Sequence, residues 1–512
     1  MRARRTLSLI LCCIFSLSPS HASPTSSISN STNSTINALS GPALAVDTDQ
    51  LAVFTTRNQQ AGWPVILGTV LRGGPTNATI SWSFPQLGSV LCTVSGVVNQ
   101  SCAGPVLDVI FPSAGSYGVS ITITDASTNA LFTTQTFSVN ISTGNAVPTG
   151  TRREVRDLTT GQWSRFVQAA HVLKTFGVWD HIARLHSAAM QDKSMERSAS
   201  HGGPSFLPWH RAFIRVTELC LQTAGNDMSI TLPYWDWTFD QPSFASSPIL
   251  TDSFFGGNGD PSVNGAVTSG HFCDASVSSC PSSSNWPVPV EFGGPTLRRT
   301  FAADLGATIS TQAQMDALTA VELYDQSPFD ANSTAGFRAG MEGWILGVYG
   351  EMHNGIHRWL GGQFSNVPTS FFDPVFVAHH ANIDRHWYAW QQAKGCVDWN
   401  DGCYAPIDDD PLVNSSTPGA AQLNGTWRIP GHQWSDHMWP WGIAPKDVAT
   451  ASIYSTWYTY ADRGTLSTDA PMPIVAGEGA IEFVSAAPNG FLEHFVVLLY
   501  VAVVVSIAVS FL

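Results

Sequence analysis

Histidines are the residues of this chain whose number and spacing could do chemistry. Fifteen are present, and two groups stand out, one within residues 171–210 and one within residues 353–386. His353 and His357 lie four residues apart in HNGIH, so on a helix both imidazoles leave the same face. Zinc proteases use the same spacing, but Asn354 stands where their motif needs a general-base glutamate. The pattern therefore favours a metal site of a different kind.

The absence of cysteines from these groups indicates which metal they suit. Imidazole tolerates both Cu(I) and Cu(II), whereas thiolates favour Cu(I) or zinc. Any one histidine alone would more simply be a buried core residue. Taken together, the two groups predict a redox-active copper site.

Three amphipathic segments must position these histidines. Thr159 and Gln162 have capping-box spacing before a helix with buried positions at Trp163, Phe166, Ala170 and Leu173. A second helix is predicted to place Trp179, Ile182 and His186 on one face. A third is predicted as one continuous helix, with an apolar face made of Phe337, Met341, Trp344, Val348, Met352 and Ile356. Residues 240–300 are rich in Gly, Pro and Ser, which predicts long loops.

Residues 43–142 alternate like strands. Apolar residues alternate with Ser and Thr at 80–84, 119–124 and 137–141, with Gly, Pro and Asn between these runs. This period of two over about 100 residues predicts a small antiparallel β-sandwich. The segment resembles an immunoglobulin-like or PKD-type extracellular module, mainly around GSYGVSITITDA. It shows no cluster of catalytic residue types, which favours a spacer, adhesion or shielding role.

Both ends of the chain carry the patterns of targeting segments. A basic start, an apolar run and a small-residue cleavage site predict a signal peptide over residues 1–22. Residues 23–42 are predicted to be a glycosylated linker, and residues 466–490 a second linker. Residues 491–512 are an apolar tail that fits a GPI-attachment signal, with a single transmembrane span as the alternative. These features predict an extracellular protein anchored to the membrane through its C-terminus.

Sequons, cysteines and charge agree with export. Eight N-x-[S/T] sequons predict glycosylation, at Asn30, Asn33, Asn77, Asn99, Asn140, Asn332, Asn414 and Asn424. Close spacing predicts three local disulfides that leave Cys220 free, namely Cys92/Cys102, Cys273/Cys280 and Cys396/Cys403. The formal net charge of −14 argues against nucleic acid as a partner, because binding phosphates needs a basic surface.

Four segments around the histidines resemble tyrosinases and their type-3 copper relatives: HGGPSFLPWHR, LPYWDW, MHNGIHRWLGGQ and DPVFVAHHANIDRHWYAWQ. The resemblance covers roughly residues 150–462 and places a copper domain at 148–465. It implies a mainly α fold, a four-helix bundle with long loops, which the small antiparallel β-sandwich precedes. It also implies two copper ions, with copper A held by His186, His201 and His210, and copper B by His353, His357 and His380. By this resemblance His379, His171, His181 and His386 are not ligands.

The resemblance implies roles for residues beside the metals. Glu342 and Asn354 match the pair that holds a water suited to deprotonating a phenol, although Glu342 lies about two residues further from the copper B histidines than in bacterial relatives. Arg358 and Val367 match positions near the substrate entrance; a solvated charge and a loop hydrophobe are the alternatives. Asp384 could orient a ligand imidazole by hydrogen bonding; a surface or core role is the alternative.

The family resemblance implies a dicopper oxidase that hydroxylates monophenols and oxidises ortho-diphenols to ortho-quinones, with phenolic small molecules and dioxygen as its partners. A catechol oxidase or an aminophenol oxidase without the hydroxylation step would use the same ligands. A haemocyanin-like dioxygen carrier is disfavoured, because Ala199 replaces a cysteine that molluscan haemocyanins crosslink to the second copper A histidine. A structural wall protein with a decayed site is disfavoured by the presence of all six ligands. No residue pattern indicates an oligomeric state.

Overall fold

The computed structural model describes the central part of the chain, with gaps. The described residues are 44–45, 51–56, 60–71, 75, 77–88, 90–94, 97–99, 101–143, 150–189, 200–281, 284–399, 401–404, 421–423, 426–428, 434–435, 437–441, 443–450 and 453–464. Several predictions lie outside these residues: the signal peptide, both linkers, the apolar tail, Ala199, and the sequons at Asn30, Asn33, Asn414 and Asn424.

Nine strands form two antiparallel sheets in the N-terminal part, as the alternation predicts. One sheet has the order β1-β2-β3-β7-β5-β6 and the other the order β4-β8-β9. Alternate residues of β8, such as Val119, Ile121 and Ile123, are buried in an apolar cluster that both sheets share. The strands are β1 (Leu44–Ala45), β2 (Leu51–Thr55), β3 (Pro64–Leu71), β4 (Ala78–Ser83), β5 (Cys92–Val94), β6 (Val97–Asn99), β7 (Val106–Ile110), β8 (Gly115–Asp125) and β9 (Leu131–Ile141).

In the rest of the described chain the regular elements are mainly α-helices, joined by long loops such as the one between residues 226 and 311. Its helices are α1 (Thr160–Thr175), α2 (Val178–Ala188), α3 (Phe206–Gly225), α4 (Gln312–Thr319), α5 (Phe337–Glu342), α6 (Leu346–Tyr349), α7 (Met352–Leu360), α8 (Val375–Lys394), α9 (Pro445–Ala449) and α10 (Ile453–Thr456). Four short strands accompany them: β10 (Gly150–Arg152), β11 (Ala421–Leu423), β12 (Thr426–Arg428) and β13 (Tyr458–Tyr460). Strand β10 pairs in parallel with β13, so the two ends of the helical part meet.

Local sequence signals place the first two helices correctly. Thr159 and Gln162 form the predicted capping box, in which each side chain accepts a hydrogen bond from the other residue's backbone N–H. Helix α1 buries the apolar positions that its periodicity indicates, and α2 buries Trp179, Ile182 and His186. Both predictions are confirmed.

The prediction of one continuous helix from Phe337 to Ile356 is wrong. The segment forms three short helices, α5, α6 and α7, separated at Gly343 and Gly350. Both glycines have positive φ, 106° and 71°, a backbone region that favours glycine. Gly343 also lies so close to the Glu351 carbonyl that an added Cβ would come within 2.3 Å of its oxygen. Val348, expected on the apolar face, is exposed as a result.

A network of buried charges joins the ends of the helical part to its long helices. The Arg152 guanidinium on β10 donates to both Glu218 oxygens on α3, each at 3.0 Å. Asp384 on α8 accepts hydrogen bonds from Arg211 on α3 and, at 2.6 Å, from the hydroxyl of Tyr458 on β13. The charged side chains of this network are almost without solvent contact. Buried charges are tolerated only when paired in this way.

The three local disulfides are confirmed as predicted: Cys92–Cys102, Cys273–Cys280 and Cys396–Cys403. Cys220 is free and buried, also as predicted. Burial raises the pKa of its thiol to about 12, which keeps it protonated and unreactive.

Among the helices in the described part of the chain, none combines the length and the apolar character that a bilayer span requires.

Replacing Tyr458→Phe tests how much the charge network stabilises the fold. The variant keeps the ring stacked on Arg152, 3.4 Å from the guanidinium, but removes the hydroxyl that donates to Asp384. Because a hydrogen bond to a buried charge contributes about 1.5–3 kcal/mol, we expect the free energy of unfolding to fall by about that amount. Urea unfolding measures it, with Tyr349→Phe, outside the network, as the matched control. Equal effects of the two substitutions would contradict a special role for the network.

Candidate metal centre

Four helices and one loop bring seven imidazoles together. His186 lies near the C-terminal end of α2, and His201 lies in the loop before α3. The remaining five lie on α3 (His210), on α7 (His353 and His357) and on α8 (His379 and His380). All seven are buried, with exposed fractions of 8% or less. The six predicted ligands are therefore placed in one region of the core.

The imidazoles form two groups that adjoin. One group is His186, His201 and His210, and the other is His353, His357, His379 and His380. Within each group the potential ligand atoms all lie within 4.8 Å of one another. Across the groups, the His210 and His380 rings stack at 4.3 Å between centroids. This arrangement suits two metal ions side by side.

Hydrogen bonds on the outer side of the rings fix which nitrogen faces the centre. His210 Nδ1 donates to the Phe206 carbonyl at 2.9 Å, and His357 Nδ1 donates to the Phe364 carbonyl at 2.7 Å. His353 Nδ1 lies 2.9 Å from the Asn354 side-chain oxygen, which can only accept. With Nδ1 as the donor, Nε2 of each ring keeps a lone pair for a metal.

Buried nitrogens without protein partners show that these residues fit a metal. Among the described residues, Nε2 of His210, His353 and His357 has no hydrogen-bond partner, and neither nitrogen of His186, His379 or His380 has one. Leaving so many polar atoms unsatisfied in a core is costly unless something binds them. The potential ligands are imidazoles alone, a set that suits copper in both oxidation states.

Burial keeps these imidazoles neutral, which is the form that binds metals. It lowers the pKa of His210 to about 3 and that of His357 to about 4. Burial, together with the neighbouring imidazoles, holds the pKa values of the other five well below the ordinary range. No proton therefore has to be displaced for a metal to bind at neutral pH.

His379 lies closer to the centre than expected from the resemblance to tyrosinases, which implies that it is not a ligand. Its ring stacks on His353 at 5.1 Å and 17°, and its nitrogens belong to the second group. His380 is held instead between His210 and Phe376, whose ring lies 4.0 Å away. Phe376 precedes His380 by four residues on α8, so helical spacing could have revealed this contact from the sequence.

Glu342, at the end of α5, and Asn354, on α7, lie on two segments that pack against each other. An added Cβ on Gly343 would lie 3.1 Å from the Asn354 Cβ, so the residue after Glu342 packs on Asn354. One Glu342 oxygen accepts the Gly202 N–H at 2.6 Å, and the other pairs with Arg338 at 3.0 Å. Burial raises the pKa of Glu342, and Arg338 opposes that shift. Sequence reasoning missed Arg338, although it precedes Glu342 by one helical turn.

Two other predicted residues, Arg358 and Val367, follow the copper B histidine His357 in the chain. Arg358 is partly exposed and pairs with Asp304, at 2.7 Å, and with Glu351. Val367 is half-buried at the start of a short 3-10 helix, Val367–Phe372.

Of the two roles considered for Asp384, the structure favours the core role over orienting a ligand imidazole. Its hydrogen bonds in the described part of the chain come from Arg152, Arg211, Tyr458 and Tyr460, and none comes from a histidine. Two guanidinium groups and two hydroxyls satisfy the carboxylate, because charged donors form its strongest hydrogen bonds. It acts on the centre only indirectly: Arg211 follows His210, and Asp384 lies one turn beyond His380.

The depressed imidazole pKa values predict acid sensitivity of the metal-free protein. His210 and His357 have an ordinary pKa of 6.5 when unfolded, so below that pH the unfolded chain takes up protons first. The free energy of unfolding should then fall by about 1.4 kcal/mol per pH unit for each such group, down to about pH 4. Asp325, with a pKa raised to about 6, acts in the opposite direction, and so do Glu154 and Glu342, whose pKa values burial also raises. Urea unfolding at about pH 7, 6 and 5 measures the slope.

The matched variant for this measurement is His357→Gln, which removes one of the titrating groups. Its slope should be smaller than that of the wild-type protein by about 1.4 kcal/mol per pH unit. Stability that stays constant over this pH range would show that the imidazoles are not buried in the metal-free state.

Comparison with known proteins identifies the family. The family model for the common central domain of tyrosinase matches residues 177–393, which include all seven histidines. Tyrosinase from Streptomyces antibioticus is 35% identical over 287 residues, 56% of this chain and 93% of that protein. Tyrosinase from Streptomyces glaucescens is 32% identical over 310 residues, 60% of this chain and 98% of that protein. A solved polyphenol oxidase from Thermothelomyces thermophila is 20% identical, with a TM-score of 0.42, over 61% of this chain and 89% of that chain. Because the Streptomyces relatives are matched over nearly their whole length, the chain belongs to the tyrosinase family of dicopper oxidases.

Proposed function

We propose that this protein hydroxylates monophenols and oxidises ortho-diphenols to ortho-quinones with dioxygen. The observation that carries the proposal is the pair of adjoining groups of buried, neutral imidazoles, in which His186, His210, His353, His357, His379 and His380 each have a buried nitrogen without a hydrogen-bond partner among the described residues. Copper A would be held by His186, His201 and His210, and copper B by His353, His357 and His380. The copper pair supplies the redox chemistry with dioxygen.

The protein's contribution is to fix the ligand rings and keep water away from them. Carbonyl acceptors on Nδ1 of His210 and His357 orient these rings and make Nε2 a better donor to metal. Phe376 stacks on His380, and Phe364 stacks on His357 at 4.2 Å. An aromatic wall of this kind gives a dry site and an apolar surface for a phenol ring.

His379 serves as a support in this proposal and not as a ligand. Its ring stacks nearly parallel to His353, which limits rotation of the His353 imidazole. With three histidines for each copper, each metal would keep a position for dioxygen or substrate, as catalytic metal sites do.

Hydroxylation of a monophenol requires a base for the phenol proton, and Glu342 is the candidate. Its two oxygens accept from Gly202 and Arg338, yet a carboxylate has about four lone-pair sites and can accept from a water beside Asn354 as well. Its raised pKa brings it closer to neutral pH, where a general base is most effective.

The ion pair with Arg338 favours a second candidate function. A guanidinium 3.0 Å from Glu342 stabilises the carboxylate and weakens it as a base. A protein limited in this way would oxidise diphenols as a catechol or aminophenol oxidase without hydroxylating monophenols.

Oxygen uptake by the copper-loaded protein distinguishes these functions. We expect uptake with both tyramine and dopamine, with a lag on tyramine, because the monophenol must first be hydroxylated. Replacing His353→Gln should abolish uptake with both compounds, since it removes a copper B ligand. Uptake with dopamine alone would assign the catechol oxidase function, and no uptake with either would exclude both.

The same comparison tests Glu342. Glu342→Gln should lower the rate with tyramine by about 100-fold and leave the rate with dopamine largely intact, as expected for loss of a general base. Glu322→Gln is the matched control, because Glu322 is exposed and pairs only with Lys394 among the residues described. Equal losses with both phenols would assign Glu342 a structural role.

We also infer that the protein is exported and anchored at the outer face of a membrane through its C-terminal tail. The signal-like residues 1–22, the sequons and the apolar residues 491–512 support this localisation. Three disulfides agree with an oxidising compartment. Release from cells by a phosphatidylinositol-specific phospholipase is expected for a GPI anchor; retention after that treatment would indicate a transmembrane span.

Two finer features of the architecture belong to the same proposal. Helices α2, α3, α7 and α8, which carry the imidazoles, would form the four-helix bundle of the copper domain at 148–465. The two sheets at 43–142 would form an immunoglobulin-like or PKD-type module. Their shared apolar cluster and antiparallel pairing support that assignment.

A further inference from the structure

We propose that Asp108, in the N-terminal sheet, is a positioning residue for copper A. It would act through His181 on helix α2, which carries His186. The inference rests on the proposed function, because it takes His186 as a copper A ligand. It assigns the N-terminal sheets a part in building the centre, in place of the spacer or shielding role that their sequence favours.

The sheet lies directly against the start of α2. Gly68 on β3 comes so close that an added Cβ would lie 3.2 Å from the Val178 Cγ2. Gly177, just before α2, approaches Val106 on β7 in the same way, at 3.4 Å. Phe54, Ile66 and Val106 of the sheet, with Trp63 just before β3, belong to the same apolar core as α1, α2 and α3. The sheet and the helices therefore fold around one shared core.

A buried polar contact lies at the centre of this interface. His181 Nε2 is 2.9 Å from the Asp108 Oδ1, and each side chain is only 2% exposed. Asp108 occupies the middle of β7, opposite Ile66 on β3 and Thr93 on β5. A carboxylate in such a place needs its partner, because losing one member leaves the other polar group buried without compensation. This contact fixes the rotation and the position of α2 relative to the sheet.

Helix α2 needs such support because little else in its own sequence stabilises it. It has 11 residues and begins after Gly177 without a side-chain cap. Isolated helices shorter than about 12–15 residues are marginal in water. His186 follows His181 by five residues, so at about 3.6 residues per turn the two side chains point to roughly opposite sides. The helix is thus held between the sheet on one side and the metal centre on the other.

The other contacts of the N-terminal module indicate that it supports the helices and does not cover the metal centre. Thr56 Oγ1 lies 3.6 Å from the Cys220 Sγ, and the Trp63 ring meets Trp457 edge to face at 4.7 Å. Cys220 lies ten residues beyond His210 on α3, which is about 15 Å along the helix. The first contact joins the N-terminal module to the far end of the ligand helix α3, and the second joins it to the segment just after α10. Neither contact involves an imidazole of the two histidine groups.

Copper retention by the full-length Asp108→Asn protein tests the proposal. Loss of a residue that supports a metal ligand weakens metal binding by about 10–100-fold. We expect copper A to become at least tenfold easier to remove with a graded chelator, while copper B is retained. The protein should then hold close to one copper per chain by metal analysis, and its lone Cu(II) should give an electron paramagnetic resonance signal.

Asp125→Asn is the matched control, because Asp125 caps an exposed turn of the same module and contacts Ser127 and Thr128. It should retain both coppers like the wild-type protein. If Asp108→Asn does not fold, as judged by circular dichroism, His181→Gln takes its place with the same readout.

Two results would overturn the inference while leaving the proposed function intact. One is wild-type retention of both coppers in the variants; the other is loss of both coppers together, which would indicate general destabilisation. A wild-type protein that binds no copper at all would overturn the proposed function, and the inference with it.

Discussion

The Asp384 carboxylate, buried in the core and shared among two arginines and two tyrosine hydroxyls, is the interaction on which the rest of the helical part depends. A charge in that position must be compensated on every side, so the elements that carry its partners have to converge. They are β10, α3, α8 and β13. Because Arg211 follows His210 and Asp384 follows His380 by one turn, the ion pair also sets the separation of the two helices at the centre.

Because the ion pair of Asp384 with Arg211 joins α3 to α8, the imidazole nitrogens of His210 and His380 are not needed to join these helices and can bind metal. The His210 ring stacks on His380, and the His380 ring stacks on Phe376; these contacts do not require a protonated imidazole. Charges that carry the fold are thus kept apart from neutral rings that carry the chemistry. Glu342 does not follow this separation of charges from the metal centre. Its carboxylate accepts hydrogen bonds both from Arg338 and from the N–H of Gly202, the residue after His201.

Local and repeated signals in the sequence were sufficient for much of the fold and the site. The capping box at Thr159, the three short-range cysteine pairs and the alternation of β8 depend on neighbours in the chain, and each is found as expected. The histidine groups were equally visible, because their spacing reflects helical geometry.

Long-range packing decided the features that the sequence did not reveal. The apolar period from Phe337 onward suits one helix, but close approach of Gly343 to Glu351 breaks it. Asp384 could have faced an imidazole by spacing alone; partners from β10 and β13, more than 70 residues away in the sequence, satisfy it instead. The pairing of Asp108 with His181 likewise joins two segments with no shared motif.

The parallel pairing of β10 with β13 has a consequence for how this protein could be built and varied. Gly150 lies beside Tyr458 and Arg152 beside Tyr460, and the Gly464 N–H donates to Asp157 at 2.7 Å. The polypeptide thus leaves the helical body within a few residues of where it enters. Sequence that follows this seam can be lengthened or exchanged without passing through the catalytic core, so evolution could attach different C-terminal appendages to the same oxidase body.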